Sequence, residues 1–569
     1  MEPSIDSIRI GVLKPKPARR FEWLRAIGIA EIAIAAALVA GLTLIFQTIL
    51  ASSATYDETA YLKVASTWLR TGKQESITRM GSPLTFWKLQ QVPILLLLDV
   101  LNLTDWVDDP IENQSSLLTV IRAGSTWLWV FTFAITTIWA RLLYGRAAAV
   151  AAAWLVALGP NLIAHGAVAT MEIPVVAGIA ATIFLYWRYL QDRDRRFLWG
   201  SAAIAGIAFS CKFTTGVFIP ILFLVDAIDR IRTPRSRTRA AAIAAIQNAL
   251  VYILILIFVN LVITGFSRVP LSEARGRHPF VEARFGARTA AIVDRLVELP
   301  LPSDWVGFAT QLNHQRTGGP SYLLGERRMH GWRTYYLIAL AVKTPPAIFF
   351  LLIARFVFRP DRSLKRNDWI LPTIALMFLA IASAGSTRNY GVRYLLPLAP
   401  LMIVWISGLA QTNRLGRSAL LAAIVGVAIS TASIHPYELS YFNIIAGGPE
   451  GGKSILADSN LDWGQGVRLL AKLQWDHPEY RDITIYYFGD AEPRRYEVFG
   501  VSYVIGANAV PVDLPAELSA NTKYIGVSRS LAYGPWGPEG YFDRLKKIKP
   551  VVILPDHTMA IYRTEDLRK

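Results

Sequence analysis

The chain has 569 residues, of which 53% are hydrophobic and 18% charged, and its mean hydropathy is +0.35. A soluble fold needs more polar surface than this composition supplies, and 17 Trp, 22 Tyr and 25 Phe exclude a disordered chain. The single cysteine, Cys211, excludes an intramolecular disulfide and a cysteine-based zinc cluster. The formal net charge of +17 lies largely in short loops between apolar runs, which indicates membrane orientation rather than nucleic-acid binding.

Apolar runs long enough to cross a membrane recur between residues 26 and 434. They predict an all-α polytopic membrane protein with eleven spans, at 26–50, 119–140, 147–163, 171–187, 197–211, 213–227, 243–266, 335–354, 369–386, 394–410 and 418–434.

Basic residues beside these runs are strongly biased to one side. The N-terminal tail and the loops on its side hold 24 Lys and Arg, whereas the short loops opposite hold only Lys212, Arg388 and Arg393. Because basic loops stay in the cytoplasm, residues 1–25 are predicted to form a cytoplasmic tail, and eleven crossings then place the C-terminus outside. We expect a bacterial inner (plasma) membrane as the location.

Three long segments are thereby assigned to the outer face: residues 51–118, residues 267–334 and the tail 435–569. Within the first, residues 82–103 are apolar but are interrupted by a lysine, two glutamines and a proline. Counting them as a span would reverse the charge bias of every later loop. This stretch is therefore predicted to be an interfacial or re-entrant helix.

The tail differs in character from the spans. Short β-rich runs separated by Pro, Gly and Asp turns predict strands at 483–489, 502–507 and 523–528, and in the two runs VVILP and MAIYRT within 551–564. Helical spacing predicts helices at 465–475 and 538–548. We therefore expect a helical membrane domain over 26–434 and a small extracytoplasmic α/β domain over 435–569.

Ionisable side chains at membrane depth are costly, so each one is a candidate site residue. Six lie near the predicted outer face: Asp57, Glu58, Glu172, Lys212, Lys343 and Arg393. Each also has a simpler explanation, because acids suit the first turn of a helix and long basic side chains can extend to the interface. Their convergence on one face instead predicts a reaction between an anionic lipid headgroup and a polar acceptor.

These residue types suit the transfer of a sugar from a lipid phosphate. A carboxylate can take the proton from an acceptor hydroxyl or amine, and Arg and Lys can hold the charge of the departing phosphate. The sequence contains no P-loop, no dinucleotide-binding glycine pattern, no HExxH motif and no nucleophile elbow. A nucleotide-driven pump and a soluble-type hydrolase therefore lack their parts.

Seven motifs occur in a fixed order: YDE at 56–58, SPLTFWKL at 82–89, residues 140–174 ending in TMEIP, CKFTTG at 211–216, GWRTYYLIALAVKTPP at 331–346, RYLLPLAP at 393–400, and residues 441–470 containing DSNLDWGQG. In this order they resemble the polyprenyl-phosphate-sugar-dependent glycosyltransferases of the GT-C fold. These are glycosyltransferase family 39 and its relatives, which include protein O-mannosyltransferases and the aminoarabinose transferase of lipid A. The resemblance covers nearly the whole chain. It implies a GT-C-like membrane domain over 26–434 and an inverting transfer on the outer face.

The resemblance also implies roles for individual residues. Asp57 matches the first-loop acid and is expected to be the general base, Glu58 is expected to position substrate or base, and Glu172 matches the second outer-loop acid. The candidates for binding the carrier phosphate are Lys212, Lys343 and Arg393.

Two further sets of residues follow from the resemblance. Asp462 and Trp463, within DSNLDWGQG, are secondary candidates for contact with the acceptor or the sugar, although this motif is also typical of the entry to a helix. His165 could join Asp57 and Glu172 around a divalent cation; the alternative is a hydrogen-bonded loop histidine.

The predicted partners are a polyprenyl-phosphate-linked sugar, membrane lipid and an acceptor that could be a protein, a glycolipid or a polysaccharide. The alternatives are a transporter or flippase of an amphiphilic solute, and a non-catalytic subunit whose tail binds a partner. Transporters often carry internal repeats with broken spans in matched positions, and no such repeat is visible here. The absence of that pattern favours the enzyme.

Overall fold

The computed structural model describes residues 28–72, 85, 87–232, 239–272, 287–358, 368–506, 514, 518 and 521–567. The predicted cytoplasmic tail, residues 1–25, lies outside the described residues.

The described chain is mainly helical. Its longer helices are Ile29–Ala51, Tyr56–Thr71, Gln114–Ala157, Glu172–Asp192, Arg195–Cys211, Thr215–Arg232, Arg239–Ile263, Ser303–Thr317, Ile370–Gly385 and Arg414–Ala432. Its shorter helices are Trp87–Gln90, Val92–Val100, Thr104–Asp108, Pro160–Gly166, Ala287–Val297, Tyr335–Lys343, Pro346–Val357, Leu398–Ser407, Gly448–Gly452, Val467–Asp476, Arg529–Ala532 and Thr564–Leu567.

Several helices have the length and composition of membrane spans. Among the described residues, five could each cross a bilayer, and a sixth is formed if the bent pair Tyr335–Lys343 and Pro346–Val357 is counted as one span. Large apolar side chains on the first long helix, such as Ile29 and Val39, are exposed, as expected of a surface that faces lipid. The protein is therefore an integral membrane protein, and the count of eleven spans stays a prediction.

The predicted span 335–354 is broken by a sharp bend. Tyr335–Lys343 and Pro346–Val357 meet at an angle of 106°. Pro345 lies at this break, where proline cannot donate a backbone hydrogen bond and disfavours a helical conformation in Thr344 before it. Among its described residues, the predicted re-entrant stretch contains the helices Trp87–Gln90 and Val92–Val100, and each is too short to cross a bilayer.

The helical stretch Gln114–Ala157 contains the predicted span 119–140 and most of the predicted span 147–163, and it reverses direction at Gly145. Gly145 has φ 81° and ψ −171°, a conformation that glycine adopts without a steric penalty. A Cβ placed on Gly41 would be 2.4 Å from the Trp129 ring and 3.2 Å from the Cα of Ala157. In one straight helix, residues 129 and 157 would be about 42 Å apart. The two halves are therefore antiparallel neighbours that both pack on the first long helix.

The predicted strands of the tail form one five-stranded sheet. Its order in space is Val501–Ile505, Ile483–Phe488, Tyr524–Ser528, Met559–Arg563 and Val552–Ile553. The first three strands are parallel and the last two are antiparallel to their neighbours. The two β-rich runs within 551–564 form two strands, and the chain turns back between them after Leu554. The helix predicted at 538–548 is only the short 3₁₀ helix Asp543–Lys547.

This sheet packs against the helix Tyr56–Thr71, which is called the outer helix after the side of the membrane predicted for it. The Tyr56 and Phe488 rings stack with centroids 5.6 Å apart and planes within 10° of parallel. The backbone N–H of Tyr56 donates to the carbonyl of Trp463 at 2.7 Å, and that of Ser53 donates to Gln465 at 3.0 Å. The start of the outer helix is thus held by the tail on one side and by the membrane helices on the other.

The helix Ser303–Thr317, in the segment 267–334 that is predicted to face outward, is anchored through the buried carboxyl group of Asp304. Asn260 donates its amide hydrogen to Asp304 at 2.8 Å, and the other amide atom, Oδ1, has no hydrogen-bond partner among the described residues. A protonated Asp304 could donate to that oxygen. Burial raises the pKa of Asp304 from 3.8 to about 7, because few groups compensate the charge in this environment.

We therefore expect the stability of this anchor to depend on pH. Because the pKa of Asp304 is raised in the folded state, its contribution is complete below about pH 4 and is lost as pH rises towards 7. The Asp304→Asn variant should lack this component, so that between pH 5 and 8 wild type should lose about 1–3 kcal/mol relative to it. Melting curves of both proteins in detergent, recorded across this pH range, measure the difference; parallel curves would contradict the assignment.

Candidate functional site

A polar cavity of about 280 Å³ lies where the helices Tyr56–Thr71 and Ser303–Thr317 meet the spans and the tail. Four of the residues predicted from the sequence line it: Asp57, Glu172, Lys212 and Arg393. The acids come from the starts of two helices, and the cations come from a helix end and a short 3₁₀ helix. The structure thus brings together four residues that are separated by more than 330 positions in the chain.

These four side chains form one chain of alternating charges. Asp57 accepts from a guanidinium nitrogen of Arg393 at 2.9 Å, and the same nitrogen lies 3.6 Å from Glu172. Glu172 also accepts from the ammonium group of Lys212 at 3.1 Å. Such pairs are stronger here than at an exposed surface because little water screens them. Two cations and two carboxylates therefore converge on a space large enough for a polar ligand.

Glu172 and Lys212 are placed by helix ends. Glu172 is the first residue of Glu172–Asp192, where the helix dipole favours an anion. Lys212 follows the last residue of Arg195–Cys211, and its extended backbone turns the side chain towards Glu172. The Lys212 ammonium group also lies 4.1 Å from the centre of the Tyr394 ring, a favourable cation–π contact.

Arg393 is held from behind by aromatic and backbone groups. Its guanidinium group lies 4.3 Å from the centre of the Trp463 ring. Its Nε donates to the carbonyl of Tyr390 at 3.1 Å. Trp463 therefore orients Arg393 and does not line the cavity, which differs from the substrate contact predicted for it.

Burial raises the pKa of Asp57 above its ordinary value, although Arg393 beside it acts in the opposite direction. The negative charge of Glu172 adds to the increase. A carboxylate with a raised pKa is a better proton acceptor than an exposed one. The electrostatics of the cavity thus suit Asp57 to the role of a general base.

Glu58 lies next to Asp57 in sequence but points away from the cavity. Its carboxylate accepts two hydrogen bonds from Arg122, at 2.6 and 2.8 Å, and one from the backbone N–H of Ala169 at 2.7 Å. The backbone N–H and the hydroxyl of Thr55 each donate to it at 2.9 Å, completing a capping box. Glu58 therefore has no free position for a substrate, and the structure does not support its predicted place among the catalytic residues.

The buried pair of Glu58 and Arg122 fixes the position of Asp57. Arg122 also donates to the carbonyls of Ser52 and Ser53, at 3.0 and 2.8 Å. The turn between the first span and the outer helix is thus tied to the span Gln114–Ala157. Asp57, one residue before Glu58, is held by the same contacts.

Two other predicted contacts lie outside the cavity. The Lys343 ammonium group donates to the backbone carbonyls of Leu439 and Asn460, at 3.1 and 2.6 Å. Asp462 accepts from the backbone N–H groups of Gly464 and Ser530, at 3.1 and 3.0 Å. Lys343 therefore joins the broken span to the tail, and Asp462 joins two segments of the tail.

The three candidate ligands for a divalent cation are not gathered into one site. Among the described residues, no three His, Cys, Asp or Glu side chains are close enough together to hold a metal ion. His165 is buried behind the cavity, with its ring centre 6.2 Å from that of Trp463. In this structure Asp57 and Glu172 share Arg393, whereas His165 packs against an aromatic ring.

The cavity also contains residues that the sequence analysis did not select: Tyr56, Tyr61, Gln311, His314, Arg388, Tyr390, Tyr394 and Asp490. Gln311 and His314 come from the helix Ser303–Thr317, and Asp490 follows a strand of the tail. A signal existed for Asp490, because loops at the carboxyl ends of parallel strands often carry functional residues. Nothing in the sequence predicted that the tyrosines would meet at one cavity, because they come from separate motifs.

One part of the chain matches a known family. Residues 115–262 match the family model for dolichyl-phosphate-mannose-protein mannosyltransferase. A search of curated proteins finds no match to the chain.

Two solved structures align with nearly the whole chain. The crystal structure of ArnT from Cupriavidus metallidurans bound to undecaprenyl phosphate is 11% identical, with a TM-score of 0.42, and the alignment covers 96% of this chain and 98% of that chain. The apo structure of the same protein is 13% identical, with a TM-score of 0.29 and coverages of 94% and 98%.

The matched segment 115–262 includes Arg122, Glu172 and Lys212, so it supplies one acid and one cation of the cavity as well as the partner of Glu58. The resemblance predicted from the motif order is confirmed there. Residues 115–262 carry the pattern of the dolichyl-phosphate-mannose-protein mannosyltransferase family, and the protein is an integral membrane protein similar to the GT-C glycosyltransferases.

Proposed function

We propose that the protein transfers a sugar from a polyprenyl-phosphate carrier to a hydroxyl or amine of an acceptor. One observation carries this proposal: Asp57 and Glu172 share a cavity with Lys212 and Arg393. Proton removal and phosphate binding can thus occur in the same space. The family description names a polyprenyl-phosphate-linked mannose, which supports this class of donor.

In the proposed reaction Asp57 takes the proton from the acceptor nucleophile. The nucleophile attacks the anomeric carbon of the donor while the bond from that carbon to the phosphate oxygen breaks. The electron pair of the broken bond leaves with the carrier phosphate. Attack from the side opposite to the leaving group inverts the configuration at this carbon.

Lys212 and Arg393 are proposed to bind the carrier phosphate. Negative charge on the phosphate increases as the bond breaks, so cations already in place stabilise the transition state more than the ground state. Glu172 contacts both cations, at 3.1 and 3.6 Å. We assign it the role of keeping the two cations in position.

The carrier chain also needs a place in the protein. An apolar cavity of about 300 Å³ lies next to Arg393, lined in part by Val392, Leu395 and Leu396. Other walls come from the broken helix pair, including Pro345 and Ile348. An isoprenoid tail could lie here while its phosphate contacts Arg393.

We further propose that the site faces the extracytoplasmic side of a bacterial inner membrane. The basic loops predicted to be cytoplasmic lie at the opposite ends of the spans. Arg141 and Arg146, for example, approach Glu31 near the start of the first long helix, at 3.4 and 3.8 Å. Asp57 follows the other end of that helix. The charge bias therefore supports an outward-facing site.

The test is a transfer assay with purified protein in lipid vesicles. A radiolabelled polyprenyl-phosphate sugar is the donor, and a total membrane extract is the acceptor. We expect label to move to material in the extract. Label that crosses the bilayer without chemical change would support a transporter instead and would overturn the proposal.

The phosphate site can be tested in the same assay. Replacing Lys212 or Arg393 by glutamine removes one charged hydrogen bond to the phosphate, so kcat/KM for the donor should fall about 10–100-fold in each variant. The matched control is Lys472→Gln, which changes an exposed lysine whose ion-pair partner is Asp476 in the tail. An unchanged kcat/KM in both cavity variants would place the phosphate elsewhere.

A further inference from the structure

Asp490 belongs to the tail but lines the same cavity as Asp57. It follows the strand Ile483–Phe488 by two residues, at the carboxyl end of the parallel part of the sheet. Of the described residues that line this cavity, Asp490 is the one that comes from the C-terminal sheet and its loops. The sheet therefore contributes one carboxylate to the cavity.

The fold makes no use of this carboxylate. Within the described chain, Asp490 forms no hydrogen bond and no ion pair, and its side chain is exposed. Glu492, two residues later, is paired with Arg495 at 2.9 Å. The charges of Lys63 and Asp57 act on Asp490 through space, but neither side chain bonds to it, so its oxygens are available to a ligand.

Two contacts hold Asp490 in place relative to Asp57. The rings of Tyr56 and Phe488 stack on each other. Tyr56 is the residue before Asp57, and Phe488 lies two residues before Asp490. Gly489 makes the turn between strand and acid, and a Cβ there would lie 2.1 Å from the Tyr487 ring. A side chain at this position would require the Tyr487 ring to move, so the chain passes close to this ring just before Asp490.

Asp490 lies outside the chain of paired charges that joins Asp57, Arg393, Glu172 and Lys212. Within that chain, Lys212 and Arg393 are the cations proposed to bind the phosphate. Asp490 adds an acid on the side of the cavity formed by the outer helix and the tail, where Asp57 also lies. In a displacement with inversion, the acceptor nucleophile and the leaving phosphate lie on opposite sides of the reacting carbon. The acceptor is therefore expected on the side of Asp57 and Asp490.

We propose that Asp490 is a positioning residue for the acceptor. Its carboxylate accepts a hydrogen bond from a hydroxyl or amine group of the acceptor close to the group that Asp57 deprotonates. The C-terminal sheet thus forms part of the acceptor subsite, whereas the donor phosphate is bound by side chains of the membrane domain. This inference rests on the proposed glycosyl transfer.

The test compares the apparent KM values for the two substrates in the Asp490→Asn variant. The donor is the radiolabelled polyprenyl-phosphate sugar, and the acceptor probe is the total membrane extract at a series of dilutions. We expect the apparent KM for the extract to rise about 10–100-fold and that for the donor to stay within twofold. Asp490→Glu should recover part of the acceptor affinity, and Glu492→Gln is the matched control.

Three results would overturn the inference. Unchanged kinetics in Asp490→Asn would mean that the acceptor does not contact this carboxylate. An equal rise in both KM values would place Asp490 in the general structure of the cavity. Wild-type protein that binds the donor but transfers no label would refute the proposed function, and the inference with it, which is distinguishable from either of the first two results.

Discussion

The Asp57→Asn variant should transfer sugar about 10²–10⁴ times more slowly than wild type, the usual loss when a general base is removed. Asparagine has nearly the same shape and can still accept from Arg393, but it cannot take a proton at neutral pH. The loss should therefore appear in kcat, while the apparent KM for the donor changes little. The measurement is the initial rate of label transfer from the polyprenyl-phosphate sugar at saturating donor.

A second acid on the same outer segment provides the control. Asp108 is exposed, pairs with Arg70 at 2.5 Å and lies outside the cavity. The Asp108→Asn variant should keep the wild-type rate. If Asp57→Asn kept more than about a tenth of the wild-type kcat, another group would have to be the base.

Arg122→Met should destabilise the protein far more than the loss of an exposed ion pair does. It leaves Glu58 buried and without its charge partner, and breaking a buried ion pair from one side costs about 3–5 kcal/mol. The carbonyls of Ser52 and Ser53 also lose their donors. The free energy of unfolding in mixed detergent micelles, compared with wild type, measures the loss.

The matched control is Arg70→Met, which removes an arginine from an exposed pair. Arg70 contacts Asp99 at 2.6 Å on the same outer segment, and both side chains are partly exposed. Because water screens this pair, its loss should cost about 0–1 kcal/mol. If Arg122→Met cost no more than this, Glu58 would not depend on Arg122 for its position.

The two variants also separate the roles of adjacent acids. Asp57→Asn should affect kcat and leave stability nearly unchanged. Arg122→Met acts through Glu58 and should affect stability first, with activity falling only as Asp57 loses its position. Sequence neighbours thus differ in role because successive residues on a helix point about 100° apart.

The amino-acid sequence alone determined the class of protein and the general nature of the site. Long apolar runs predicted helices that cross a bilayer. The β-rich runs between turn residues predicted the C-terminal sheet close to its observed strands. Charges at membrane depth are costly, so their presence pointed to Asp57, Glu172, Lys212 and Arg393. The structure places all four in one cavity.

The number of spans could not be read from composition in the same way. Hydrophobic content does not record direction, so the reversal at Gly145 and the bend of 106° before Pro346 appear only when the backbone is folded. Each break depends on local backbone conformation and on neighbouring helices. The predicted spans still fall close to observed helices, because the apolar runs themselves are the helical segments.

Only the tertiary structure decided which charged residues face the cavity. Glu58, Lys343 and Asp462 carry the same side-chain chemistry as the cavity residues, yet their partners are Arg122, backbone carbonyls and backbone N–H groups. Asp490 was not selected, although it lines the cavity. The physical reason is that a burial cost can be met by partners far away in sequence. Composition and spacing reveal that a charge needs a partner, and only the fold shows whether a partner within the chain is already in place.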